Sequence, residues 1–262
     1  MDYGLEDSVA LIAGGARGIG YAAGAIMARE GAKVALADIN GDGASEAAER
    51  LAAETGAATV GIAADITDMA AVERMVAEAE DALGPLDIAV NTAAIVADKR
   101  FLDSEPEDWR RMIDICLFGP MNVIHTVVPG MAERGFGRVI CLASDAARIG
   151  QARLSYYAAA KAGVIALIKS VAQEVGRAGV TLNVVSPGAT NTELRKGREE
   201  NLREQMGEEK YARHVQNVLR MYPTRRLGEP DDIAGAVAYL ASRQAGWVTG
   251  QVMSVNGGFV MP

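Results

Sequence analysis

The stretch VALIAGGARGIG, residues 9–20, joins an apolar run, Val9 to Ala13, to a glycine-rich turn and then to a segment with helical spacing, Ile19 to Glu30. Glycines at positions 14, 18 and 20 let the backbone turn sharply and approach a ligand closely, and the amides of the helix N-terminus favour negative charge. A pyrophosphate suits such a strand–turn–helix unit. The spacing, Gly14-x-x-x-Gly18-x-Gly20, is not the GxGxxG fingerprint, and alone it is also compatible with a plain tight turn. Asp38 adds weight to the ligand reading. It closes the second apolar run about 20 residues on, where a carboxylate can accept hydrogen bonds from both hydroxyls of an adenosine ribose.

The rest of the chain repeats the pattern. Apolar runs recur at Lys33 to Ala37, Thr59 to Ala64, Ile88 to Val90, Arg138 to Leu142, Thr181 to Val185 and Gln251 to Val255. Segments rich in Ala, Glu and Arg with helical spacing lie between them, at Gly43 to Thr55, Met69 to Leu83, Pro106 to Arg134, Ser155 to Arg177 and Pro230 to Ala241. Strands that read as continuous apolar runs are buried on both faces, which predicts an α/β fold with a parallel sheet covered by helices. The handedness of the crossovers then favours a single doubly wound Rossmann-like domain over residues 1–262. Residues 190–226 break the alternation with a long charged stretch. They read either as a solvated helical excursion or as a mobile substrate loop over a site.

Composition narrows the function. Half the residues are hydrophobic and the net charge is -8, which argues against a nucleic-acid partner. The start, MDYGLEDSVALIAGG, carries acidic residues and no cationic n-region, so it does not read as a secretory signal. No uninterrupted apolar run reaches the roughly 18–20 residues of a membrane span, and a cytoplasmic enzyme acting on a small molecule is expected. The two cysteines, Cys116 and Cys141, are expected as buried reduced thiols. With two histidines, His125 and His214, and no CxxC or HExxH spacing, no metal site is expected.

Asp38 also bears on cofactor choice. A 2′-phosphate beside it costs about 1 kcal/mol at ~4 Å in water and about 4 near a protein surface. That amounts to roughly fivefold to several hundredfold discrimination. Ile39 and Asn40 bring no cation, whereas Arg17 in the glycine turn points the other way. Asp38 abuts the expected ribose position, so NAD is the expected cofactor.

A second group lies further on. Tyr157 and Lys161 are four residues apart in a predicted helix and share one face, so phenol and ammonium can reach one site. A surface Tyr–Lys pair is the plainer explanation until Ser144 is added, at the end of the fifth predicted strand, where such sheets deliver residues to a ligand crevice. A phenol titrates near pH 10, and moving it to neutrality takes around 4 kcal/mol. One cation at ~4 Å supplies about that much at an effective dielectric of 20, but burial opposes it.

With these residues in hand, the chain resembles the short-chain dehydrogenase/reductase family over essentially its whole length. The resemblance is carried by AGGARGIG, AADITD with Asp65, NTAA from Asn91, Ser144, YAAAK from Tyr157, SPGATNTEL from Ser186 and the C-terminal RLGEPDDIAGAVAYLAS and VTGQVMSVNGG. It implies about seven parallel strands, usually assembled as a homotetramer. It also implies that Tyr157 is the general acid/base, that Ser144 orients the substrate oxygen, and that Lys161 lowers the tyrosine pKa and holds the nicotinamide ribose. Around the cofactor it places the turn residues Gly14, Arg17, Gly18, Ile19 and Gly20, with Asp38 and Ile39 at the ribose. Asp65 and Ile66 fall at the adenine, Asn91 and Ala93 on the adenosine side, and Pro187, Gly188, Thr190 and Thr192 at the nicotinamide end.

The chain departs from the family in three places. Ala13 stands for the usual threonine, NTAA for the commoner NNAG, and Cys116 for an asparagine that supports a water relay behind the lysine. Cysteine is a weak donor and acceptor, which leaves that relay re-routed, slower or absent. The run DAARIG after Ser144 looks like members that oxidise hydroxyacyl-CoA thioesters, including alicyclic ones. Arg195, Lys196, Arg198, Arg203, Lys210 and Arg213 could meet a CoA phosphate, although almost as many carboxylates accompany them and a solvated mixed-charge helix is the competing explanation. An alicyclic or aromatic-derived alcohol without CoA fits equally. A 3-oxoacyl thioester reductase is disfavoured by Asp38, and a dinucleotide-binding regulator without turnover is disfavoured by the presence of Ser144, Tyr157 and Lys161.

Overall fold

In the computed structural model, which describes residues 3–261, the apolar runs form seven strands: β1 (Val9–Ala13), β2 (Lys33–Asp38), β3 (Thr59–Ala63), β4 (Ile88–Asn91), β5 (Gly137–Leu142), β6 (Val180–Pro187) and β7 (Val252–Val255). All neighbours pair in parallel, in the order β3-β2-β1-β4-β5-β6-β7. Along β1 the side chains alternate between two cores. Leu11 and Ala13 face one, and Ala10 and Ile12 face the other, as the strand pleat requires.

Helices α1 (Gly18–Arg29), α2 (Gly41–Thr55) and α10 (Pro230–Ala241) supply Met27, Leu51 and Val237 to one core. The other takes Val72, Val123 and Val164 from α3 (Met69–Leu83), α5 (Gly119–Glu133) and α7 (Ser155–Val175). The connections leave β1 and β4 toward opposite sides of the sheet, which opens a crevice at their carboxyl ends.

The segment predicted as one helix from Pro106 is divided. Helix α4 (Pro106–Ile113) passes through a π-helical turn, Asp114–Phe118, before continuing as α5. The whole span, Pro106–Glu133, is long and apolar enough by length and composition alone to cross a membrane. Here Val123, Ile124, Val127 and Met131 pack it into the core beneath the sheet. The charged stretch after β6 is two helices, α8 (Glu193–Met206) and α9 (Glu208–Met221), hinged at Gly207 with φ 75°. Neither contributes a buried residue, so they lie over the domain as a separate layer. A short α6 (Ala146–Ile149) precedes α7.

Candidate active site

The glycine turn is shaped by close approach. Gly14 holds φ 80°, and a Cβ there would sit 2.6 Å from the Ala93 nitrogen; at Gly20 a Cβ would sit 2.2 Å from the Gly14 oxygen. Thr92 secures the turn from β4, its hydroxyl shared between the Ala13 carbonyl at 3.0 Å and the Gly14 carbonyl at 2.9 Å. The turn therefore leaves its amides facing an open cradle at the N-terminus of α1, which fits a dinucleotide pyrophosphate.

That cradle is one wall of a cavity of about 560 Å³. Of the residues predicted for the cofactor, Gly14, Arg17, Gly18, Ile19, Gly20, Asp38, Ile39, Asp65, Ile66, Ala93 and Thr192 line it. Asp38 stands at its β2 end and accepts the Asn40 amide at 3.1 Å. Among the described residues it has no ion pair. The floor by Ile66 is tied to α5, where the Asn122 amide donates to the Ile66 carbonyl at 2.9 Å. Asn91 lies behind the wall rather than on it. It is buried at the end of β4, where its oxygen accepts the Ala93 amide and its side-chain nitrogen has no partner.

Ile19, Thr92, Ala94, Thr192 and Leu194 also line a second cavity, of about 300 Å³, so the two are continuous. Ser144, Tyr157, Lys161, Pro187, Gly188 and Thr190 meet there. Ser144 follows the end of β5 and accepts the Ala146 amide at 3.2 Å. Tyr157 and Lys161 come from the first two turns of α7. Burial pushes the Tyr157 phenol above its ordinary value, and the Cys116 sulfur adds to this; a hydrogen bond with Ser144 and the Arg198 cation pull it back only in part. Lys161 lies one turn further along the same helix, on the wall of the same cavity. The residue is only 2% exposed, and its ammonium donates to the Leu142 carbonyl at 2.7 Å. In this arrangement burial favours the protonated phenol.

Cys116 lies outside both cavities, fully buried in the π turn beside Met112, Tyr156 and Ala160. Its thiol makes only long contacts, 3.5 Å to the Ile95 carbonyl and 3.7 Å to the Met112 sulfur. It is a packing residue, and a π turn at this point carries one residue more than a regular helix would.

Several walls went unrecognised in the sequence. Thr92 lies inside NTAA, where only its neighbours Asn91 and Ala93 carry a cofactor expectation. Tyr222 and Phe259 line the second cavity as a stacked pair, centroids 5.1 Å apart, from segments far apart in sequence. Asp145 is 2% exposed beneath Ser144 and accepts from Ser186 at 2.7 Å and from Asn256. The one available signal for it was its place beside Ser144. Of the six basic residues noted after Leu194, only Arg195 and Arg198 reach a cavity wall. Arg203 and Arg213 pair with Glu208 and Glu209 in solvent.

A parallel doubly wound sheet with a glycine cradle leading to a Ser–Tyr–Lys cavity defines a dinucleotide-dependent oxidoreductase. Residues 14–260 match the family model described as "Enoyl-(Acyl carrier protein) reductase". The acetoacetyl-CoA reductase of Shinella zoogloeoides is 37% identical over 95% of this chain and 97% of its own length. The 3-oxoacyl-(acyl-carrier-protein) reductase of Vibrio harveyi is 35% identical over 98% and 99%. The crystal structure of levodione reductase superposes with a TM-score of 0.90 at 30% identity, covering 97% of each chain. The chain belongs to the short-chain dehydrogenase/reductase family, enzymes that interconvert CH–OH and C=O groups with a nicotinamide dinucleotide.

Proposed function

We infer that this chain is an NAD-dependent dehydrogenase that interconverts a secondary alcohol and its ketone. One observation carries the reading: Ser144, Tyr157 and Lys161 line a single cavity continuous with one that ends at the unpaired Asp38 carboxylate. The dinucleotide, when bound, supplies or accepts the hydride. Tyr157 holds the proton at its hydroxyl and passes it to the ketone oxygen, or receives it back from the alcohol. Ser144 donates to the same oxygen and orients it. Lys161, a buried cation hydrogen-bonded to a neutral carbonyl, binds the ribose hydroxyls and the negative charge that develops on the phenol during oxidation.

The substrate is a small molecule whose ketone fits between Ser144, Tyr157 and the α8 layer. The relatives act, by their names, on acyl thioesters and on levodione, which favours an alicyclic ketone or a 3-oxoacyl/3-hydroxyacyl-CoA. The test is a panel of both classes with NAD(H) and NADP(H), followed by the absorbance of the reduced nicotinamide. Turnover with NAD(H) supports the reading, whereas tight NADH binding without turnover of any member indicates a non-catalytic regulator.

A second reading, an NADP-dependent 3-oxoacyl thioester reductase, draws on Arg17, which is exposed on the same cavity wall as Asp38. Preference for NADPH in that panel would select it. A homo-oligomer is also part of our reading, because the most apolar window of the Pro106–Glu133 span is only 44% buried within one subunit. Sedimentation equilibrium tests it.

A further inference from the structure

Beyond the Ser144–Tyr157 cavity lies another, of about 400 Å³, between α8 and the segment after β4. The two share Val96, Leu194 and Arg198 as walls, so a substrate seated at Tyr157 can extend into it. Its lining is polar, and the charged residues in it are Asp98, Arg153 and Arg198. Both guanidiniums converge on the one carboxylate: Arg153 on one oxygen, and Arg198 on the other, its Nε at 2.8 Å. Against the desolvation that burial imposes, hydrogen bonds from the two arginines hold the Asp98 carboxyl below its usual range. One anion thus faces two cations. In the neighbouring cavity Arg195 and Glu199 pair at 3.0 Å, and Glu199 also accepts from Tyr211, so that pair leaves no excess charge. A chain of net charge -8 therefore places a local surplus of positive charge at the far end of its substrate cavity. Arg153 also holds φ 70°, a conformation that residues with side chains rarely adopt.

We propose that the cavity bounded by Arg153, Asp98 and Arg198 is a subsite for an anionic group on the distal part of the substrate, a carboxylate or a phosphate. The two cations pass from sharing Asp98 to sharing the substrate anion as well, and Arg198 aligns the chain between that anion and the ketone at Tyr157. This rests on the oxidoreductase reading, and binding and turnover separate the two.

The test measures dead-end complexes of the NAD⁺-loaded enzyme with ketones by calorimetry. One pair is 4-oxocyclohexanecarboxylate against its carboxamide; the other is acetoacetyl-CoA against the uncharged acetoacetyl-N-acetylcysteamine. The anionic member of one pair should bind at least ~tenfold more tightly, and which pair does so tells carboxylate from phosphate. Arg153→Gln should reduce that ratio to about threefold or less, and Asp98→Asn, by removing the competing anion, should widen it. Arg153 is 46% exposed, so its variant retains the fold. Ratios near unity in both pairs, or equal weakening of both members by Arg153→Gln (the mark of a simple latch on α8), overturn the subsite. A preserved ratio without turnover of any ketone supports the subsite and overturns the oxidoreductase reading instead.

Discussion

Lys161 donates to the Leu142 carbonyl at 2.7 Å, which anchors the lysine to the end of β5 rather than to the phenol one turn before it on α7. On the function proposed above, its part in the chemistry is to hold a positive charge in place for the cofactor. Replacing it by a methionine of similar length (Lys161→Met) removes a buried cation that has no carboxylate partner. Stability should be unchanged or raised. NADH affinity should fall by ~tenfold or more. Thermal melting and a fluorescence titration read both, and unchanged NADH affinity would remove the lysine from the cofactor site.

Tyr157→Phe keeps the ring and the packing and removes the proton. It should bind NADH like the wild type and lose at least ~10²-fold in kcat. Near-normal turnover of an accepted substrate would end the proposed chemistry.

The raised phenol pKa sets a direction for pH. Burial favours the protonated form, so ketone reduction should stay level up to about pH 10, where an ordinary phenol titrates, and alcohol oxidation should climb with pH over the same range. The folded-state pKa lies above the unfolded one, so this phenol's stabilising contribution is complete below about pH 10 and declines as pH rises beyond it. Initial rates in both directions across a pH series check the first part, and melting temperatures check the second. A reduction rate that falls already between pH 7 and 8 would contradict it.

Asp38 should give NAD(H) at least ~tenfold preference in kcat/KM over NADP(H), and Asp38→Ala should narrow it by removing both the ribose acceptor and the repulsion. A wild-type preference for NADPH would show that Arg17 outweighs Asp38.

Cys116→Asn should fold, with kcat kept or raised, because the thiol makes only long contacts and fills space. An unsatisfied amide there costs about 1 to 3 kcal/mol, which a melting temperature separates from a loss of chemistry. A well-folded variant slowed tenfold would give the cysteine a role of its own.

Much of this architecture was readable from pattern. The strands announced themselves as apolar runs because a parallel sheet is buried on both faces, and Ser144, Tyr157 and Lys161 could be paired because strand ends and one helix face converge on a crevice. The π turn was not readable, since Ile113 to Phe118 keeps an apolar spacing that a regular helix also satisfies. Helix α8 carries no hydrophobic stripe to mark its ends, and in α9 Tyr211, Val215, Val218 and Leu219 do fall on one face but are only half-buried within a strongly charged stretch. Tyr222 and Phe259 meet only through tertiary structure, and so do Lys161 and the Leu142 carbonyl at the end of β5 that accepts its hydrogen bond.

The ties beneath Ser144 have a consequence for biosynthesis. Asp145 finds its partners 41, 109 and 111 residues further along, at Ser186, Ser254 and Asn256. At ~5–20 residues per second, a nascent chain that has already emitted the serine waits roughly 5 to 20 s for the last of them. Throughout that interval the carboxylate must remain in water. The crevice at Ser144 is therefore among the last parts of the molecule to close during translation, and a ribosome stalled before β7 carries Ser144, Tyr157 and Lys161 without a finished cavity to hold them.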